Sequence, residues 1–129
     1  MSGRFLLDSN IVIAILSGDQ IVISKANQAS EIFLPSVVIG ELYYGAFNSG
    51  KKQINIERID QLRTQATVLN CDGNTAMYYG QIKKGLKEKG NPIPENDIWI
   101  AAIALQYNLN LVTRDHHFSY IEGLNVEKW

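Results

Sequence analysis

Cysteine is almost missing from this chain. The single residue, Cys71, excludes an internal disulfide and a thiolate zinc site, and fits a reducing compartment. An excess of charge of one sign is missing too. Thirteen acidic against 12 basic side chains leave a formal net charge of −1 and a pI near 6.1. That balance excludes a histone-like nucleic-acid binder on one side and a polyanionic, solvating chain on the other. Long apolar runs are absent. Ile11 to Leu16 spans only six residues, whereas a membrane helix needs roughly 20. The opening stretch, Met1 to Asp8, lacks the apolar core and small-residue cleavage site of a signal peptide. A cytoplasmic protein with no membrane partner is expected. What the chain does have is a hydrophobic fraction of 46% over 129 residues, enough to bury a core. No repeat, low-complexity tract or dividing linker interrupts it, so one domain over residues 1–129 is expected.

Apolar and polar segments alternate in a recognisable rhythm. Arg4-Phe5-Leu6-Leu7 reads as a short buried strand ending at Asp8. Asn10 opens a helix through Leu16, and a second helix covers about Gln20 to Ala29. Glu31 to Pro35 is the next strand, and Ser36 is a suitable N-cap for a helix from Val37 to Phe47. Ile54 to Leu62 has helical spacing. Thr67 to Cys71 reads as a third strand, and Thr75 to Lys89 as a long helix with lysines towards its C-terminal end. Glu95 to Tyr107 reads as a strongly apolar helix, Asn110 to Asp115 as a fourth strand, and Leu124 to Glu127 as a short fifth. Strands alternating with helices predict an α/β fold, with a mostly parallel central sheet of four to five strands flanked by helices. Ligands of such sheets bind outside the carboxyl ends of the strands.

The 13 carboxylates sort into two groups. Nine lie among polar or turn residues, where solvation is the plain expectation: Asp19, Glu31, Glu57, Asp60, Asp72, Glu88, Glu95, Glu122 and Glu127. Four lie in apolar surroundings. Asp8 follows Phe5-Leu6-Leu7, and Asp115 ends Leu111-Val112-Thr113-Arg114. Glu41 interrupts Val37-Val38-Ile39-Gly40 and Leu42-Tyr43, and Asp97 heads Ile98 to Leu105. Each alone has a plainer role: a turn or cap for Asp8 and Asp115, a first-turn acid for Asp97, a solvated helix face for Glu41. Together they fall at strand ends and helix starts that abut one sheet edge. Four carboxylates gathered there repel one another unless a cation joins them. An oxygen-only donor set suits Mg²⁺ or Mn²⁺ rather than zinc, and fits phosphoryl chemistry.

Four motifs carry a resemblance over nearly the whole chain. Leu6-Leu7-Asp8-Ser9-Asn10, Gly40-Glu41-Leu42-Tyr43-Tyr44-Gly45, Asn96-Asp97-Ile98-Trp99-Ile100-Ala101-Ala102 and Leu111-Val112-Thr113-Arg114-Asp115 together resemble the PIN-domain ribonucleases. The chain is most similar to the VapC toxins of bacterial toxin–antitoxin pairs. The resemblance implies that Asp8, Glu41, Asp97 and Asp115 bind Mg²⁺, or Mn²⁺, and are the catalytic residues. It implies an endoribonuclease that hydrolyses single-stranded regions of RNA, with tRNA or ribosomal RNA as substrate. It further implies a homodimer and a cognate VapB-type antitoxin. The family commonly has Thr where Ser9 stands, so a hydroxyl is kept. Ser9, Asn10, Asn96 and Thr113 fall at polar motif positions suited to orienting the carboxylates, and Arg114 is a candidate RNA contact. His116 and His117 follow Asp115 and are within reach of RNA or metal, although solvent exposure is the ordinary outcome for histidines in such a turn. Tyr43, Tyr44, Phe47, Tyr78 and Tyr79 are core candidates, some of them candidates for a partner surface.

Rival readings fail on particular residues. A response-regulator receiver needs an acidic pair after the first strand, where Asp8 stands alone. A haloacid-dehalogenase phosphatase needs an Asp two residues after Asp8, where Asn10 stands. A P-loop or dinucleotide site needs a Gly-rich turn where Asp8-Ser9-Asn10 lies. The alternative that survives is a non-catalytic PIN-like module that binds antitoxin or RNA.

Overall fold

In a computed structural model, which describes residues 3–129, five strands form one sheet flanked by six helices. Met1 and Ser2, part of the stretch inspected for a leader, lie outside the described residues. The order along the chain is β1 (Arg4–Leu7), α1 (Ser9–Leu16), α2 (Gln20–Gln28), β2 (Glu31–Pro35), α3 (Ser36–Phe47), α4 (Lys52–Gln65), β3 (Thr67–Leu69), α5 (Gly73–Lys89), α6 (Glu95–Gln106), β4 (Asn110–Val112) and β5 (Val126–Glu127). A 3-10 helix, His116–Tyr120, joins the last two strands. Among the described residues no helix is long and apolar enough to cross a membrane.

The expected α/β architecture is present, and every strand pairing is parallel. The sheet order is β3-β2-β1-β4-β5. Parallel strands need crossover connections, which the helices provide. β1 is central because it is apolar on both faces, with Phe5, Leu6 and Leu7 all buried. β2 lies on one side of it and β4 on the other, so the strand order reverses between β1 and β4. That reversal opens a crevice at the carboxyl edge, the place where ligands bind in such sheets. Leu7 pairs with Val112, which sets Asp8 opposite Thr113.

α6 is the core helix. Ile98, Ile100, Ala101, Ala102, Ile103 and Ala104 are all buried, as an apolar helix covered on most sides must be. α3 buries Val38, Ile39, Leu42 and Ala46, spaced as one stripe, and Glu41 stands at the edge of that stripe. Trp129 closes the far end. It is buried against Phe5, ring centroids 5.3 Å apart and nearly perpendicular.

Several boundaries differ from the sequence expectation. Helix α3 begins at Ser36 rather than being capped by it, and Pro35 occupies the cap position without a side-chain bond. The reason is continuity: Pro35 still pairs with Leu69 in the sheet, so strand and helix abut with no turn between them. α5 begins at Gly73, two residues early, because Asp72 accepts from the Thr75 N–H while the Thr75 hydroxyl accepts from the Asp72 N–H. It ends at Gly90, whose φ of 73° suits a residue without a Cβ. α4 is longer than expected, and the third to fifth strands are shorter.

Candidate metal centre at the carboxyl edge

Asp8 leaves β1 and caps α1, its Oδ1 accepting the Ser9 N–H at 2.8 Å. The Thr113 hydroxyl, arriving from β4, donates to Asp8 Oδ2 at 2.7 Å, and Asn10 Nδ2 donates to the same oxygen at 3.3 Å. Thr113 also accepts the Asp115 N–H at 3.0 Å, and Asn10 Oδ1 accepts the Arg114 N–H at 3.2 Å. These bonds stitch the loops after β1 and β4 together and hold Asp8 in one rotamer. Asp115 caps the 3-10 helix, its Oδ1 accepting the His117 N–H at 2.9 Å. Asp97 lies in the first turn of α6, and Glu41 lies in the second turn of α3.

Of the four acids, Asp97 and Asp115 come together, in a group with His117 whose ligand atoms lie within 4.8 Å of one another; Asp8 and Glu41 stand outside that group and are coupled to it by charge. Burial raises the Asp8 carboxyl above its ordinary range, partly countered by Thr113, and Asp115 adds to the rise. Burial raises Glu41, reinforced by the charges of Asp8 and Asp97 and opposed by Asn96 and Ser9. Burial raises Asp97, with Asp8 and Asp115 pushing the same way and His117 opposing. Desolvation and mutual repulsion both disfavour the ionised forms. Glu41 keeps a further signature: its Oε1 is buried and has no hydrogen-bond partner. A buried, unpartnered carboxylate oxygen is costly, and nearly all such atoms in folded proteins find a donor or an ion. A divalent cation fits this set. It would satisfy the orphan oxygen and offset the repulsion among the four carboxylates.

The other residues singled out in the sequence fall as follows. Ser9 and Asn10 open α1 beside Asp8. Asn96 is exposed on α6 and borders a hollow lined by Val37, Gly40, Glu41 and Tyr44. The Arg114 guanidinium is held by Asp19 Oδ2 at 3.2 Å and by the Trp129 carbonyl at 3.0 Å, so it is tied to the cap of α2 and the C-terminus rather than to the four acids. Asp19 and Asp72 are N-caps; the Val22 N–H and then Arg114 hold the Asp19 carboxyl below its ordinary range, and the Thr75 N–H and then Gln106 do the same for Asp72. Tyr44 and Phe47 are exposed, whereas Tyr43, Tyr78 and Tyr79 pack against the core.

His117 is partly buried rather than solvent-exposed. His117 Nδ1 lies 3.0 Å from Asp115 Oδ1 and 3.3 Å from Asp97 Oδ2. The available signal was Phe118 and Ile121, apolar at i, i+3, which marks one helical turn after Asp115 and fixes which way its residues face.

The chain and its fold have known counterparts. The PIN domain family matches residues 5–124. The chain belongs to the PIN-domain family. Among similar proteins is Ribonuclease VapC2 of Haemophilus influenzae, 35% identical over 129 residues, with 98% of each chain covered. The tRNA(fMet)-specific endonuclease VapC of Salmonella typhimurium is 30% identical, again with 98% of each chain covered. A solved structure of DNA-bound VapBC from Salmonella typhimurium superposes with a TM-score of 0.92 at 29% identity, covering 98% of both chains. VapBC2 from Rickettsia felis, bound to a fragment of its promoter DNA, gives 0.89 at 30% identity and the same coverage. In this PIN domain the four acids of the sequence motifs lie at the sheet's switch point.

Proposed function

We propose that this PIN domain, spanning residues 1–129, is a metal-dependent endoribonuclease of the VapC kind, the toxin of a toxin–antitoxin pair. One observation carries the reading: Asp97 and Asp115 come together at the β1/β4 crevice, Asp8 and Glu41 lie within reach of their charge, and a buried oxygen of Glu41 lacks any partner. Asp8, Glu41, Asp97 and Asp115 would hold Mg²⁺ or Mn²⁺. When bound, such a cation lowers the pKa of a coordinated water and offsets charge developing on a phosphodiester. The protein's own part is preorganisation. Thr113, Ser9 and Asn10 fix Asp8 before any ligand arrives, so its oxygens need no reorganisation when the phosphate is engaged. The open hollow lined by Glu41 and Asn96 would admit a single strand to the Glu41 side of the site.

The similarity to a tRNA(fMet)-specific endonuclease supports tRNA as the substrate class. The similarity to VapC chains in VapBC complexes supports a VapB-type antitoxin, and with it a cytoplasmic site of action. Exposed Tyr44 and Phe47 on α3 offer apolar surface for the antitoxin or for a second copy in a homodimer.

Purified protein incubated with total RNA tests the proposal. Cleavage is expected with Mg²⁺ or Mn²⁺ and is expected to stop with EDTA. Asp97→Asn should keep the fold, by circular dichroism, and lose cleavage. RNA that binds but stays intact with either metal would favour the non-catalytic module.

A further inference from the structure

The four-carboxylate reading leaves one group at the site unused. His117 is held by its turn: Asp115 accepts its N–H, and the next residue, Phe118, is fully buried and anchors the 3-10 helix. The imidazole is thereby set between Asp115 and Asp97, and ligand atoms of all three residues lie within 4.8 Å of one another. Around a cation with bonds of about 2.1 Å, neighbouring octahedral positions are about 3.0 Å apart. The distances from His117 Nδ1 to the two carboxylates, 3.0 and 3.3 Å, match that spacing.

We propose that His117 is a nitrogen ligand of this centre through Nδ1, and that the centre therefore selects a transition-metal dication such as Mn²⁺ over Mg²⁺. The inference rests on the metal-site reading above and deepens it. Mg²⁺ keeps oxygen and water ligands, whereas a first-row transition dication accepts imidazole more readily; Mn²⁺, the weakest of that series, is the least demanding test of the preference. Neighbouring His116 does not share the role. Its side chain is 80% exposed, and its Nδ1 is 4.0 Å from Asp115 Oδ1. The competing account is that His117 only bridges the two carboxylates by hydrogen bonds.

The two accounts separate in the full-length protein stripped of metal with EDTA and loaded with Mn²⁺ alone. Pulsed electron paramagnetic resonance should detect a directly coordinated ¹⁴N in the wild type and in His116→Ala, and none in His117→Gln. By calorimetry the wild type should bind Mn²⁺ at least about tenfold more tightly than Mg²⁺, and His117→Gln should lose most of that preference. Bound Mn²⁺ with no ¹⁴N coupling in the wild type overturns the inference and leaves the carboxylate site standing. A ¹⁴N signal that disappears with His116 overturns it equally. Failure of the wild type to bind either metal overturns both the inference and the metal-site reading beneath it.

Discussion

Glu41 stands half-buried on α3 with one carboxylate oxygen unpaired and two acids near it. Because its folded pKa is raised, the fold holds this proton more tightly than the unfolded chain does. Its contribution to stability is greatest below the unfolded value and is lost as pH rises through the folded value. At neutral pH the ionised side chain therefore destabilises the metal-free protein. Glu41→Gln is expected to raise the metal-free melting temperature at pH 7 by roughly a few degrees. That gain should fade on acidification through the carboxylate range, and added Mn²⁺ should stabilise the variant less than the wild type. Equal melting curves at pH 7 would count against the repulsion. Thr113 makes the opposite case. Its buried hydroxyl serves Asp8, Asn10 and the Asp115 N–H. Thr113→Val keeps the shape and strands those partners, which should cost about 1–3 kcal/mol in urea unfolding. Metal affinity should fall about tenfold, and Thr113→Ser should recover most of both. A Val variant as stable and as tight as the wild type would remove Thr113 from the site's support.

α5 shows how an element's start depends on side chains that propensity alone does not reveal. The Asp72/Thr75 box fixes its first turn, and Thr75, fully buried, also bonds Gln106 at the end of α6. Thr75→Val should destabilise by about 1–2 kcal/mol, measured by denaturant titration; Thr75→Ser should be close to neutral, and equal losses in both would point to packing instead. Asp72-Gly73-Asn74 looks like a turn in sequence, which is why the helix was expected two residues late. The strand–helix alternation was legible, because short apolar runs bounded by turn residues alternate with longer segments of helical spacing, the pattern of buried parallel strands and their crossovers. The 3-10 helix was not. It offers only the single Phe118/Ile121 pair as a signal, and its existence depends on Phe118 reaching the core and Asp115 capping the turn. Missing that turn meant missing the position of His117. The fate of Arg114 was equally hidden, since its partners, Asp19 and the Trp129 carbonyl, are distant in sequence.

At the scale of the whole molecule, the sheet order gathers carboxylates that the chain keeps far apart. Asp8 and Asp115 leave adjacent parallel strands at the point where the order reverses, and the helices that bring Glu41 and Asp97 flank the same crevice. That convergence was readable from the position of each acid in its element, whereas burial and mutual charge emerge only from the fold. They make cation binding proton-linked. Asp8, Glu41 and Asp97 all hold protons above the ordinary carboxylate range, and ligation requires their ionised forms. Metal binding should therefore expel protons at mildly acidic pH, and affinity should fall on acidification before ordinary surface carboxylates titrate. Calorimetry of Mn²⁺ binding in two buffers of different ionisation enthalpy measures this directly. The observed heats should differ between the buffers on the acidic side of neutrality, and the difference should shrink as pH rises. Glu41→Gln should release fewer protons than the wild type at acidic pH. Identical heats in both buffers throughout the acidic range would mean that the three carboxylates are already ionised, and that the fold does not hold them against their own repulsion.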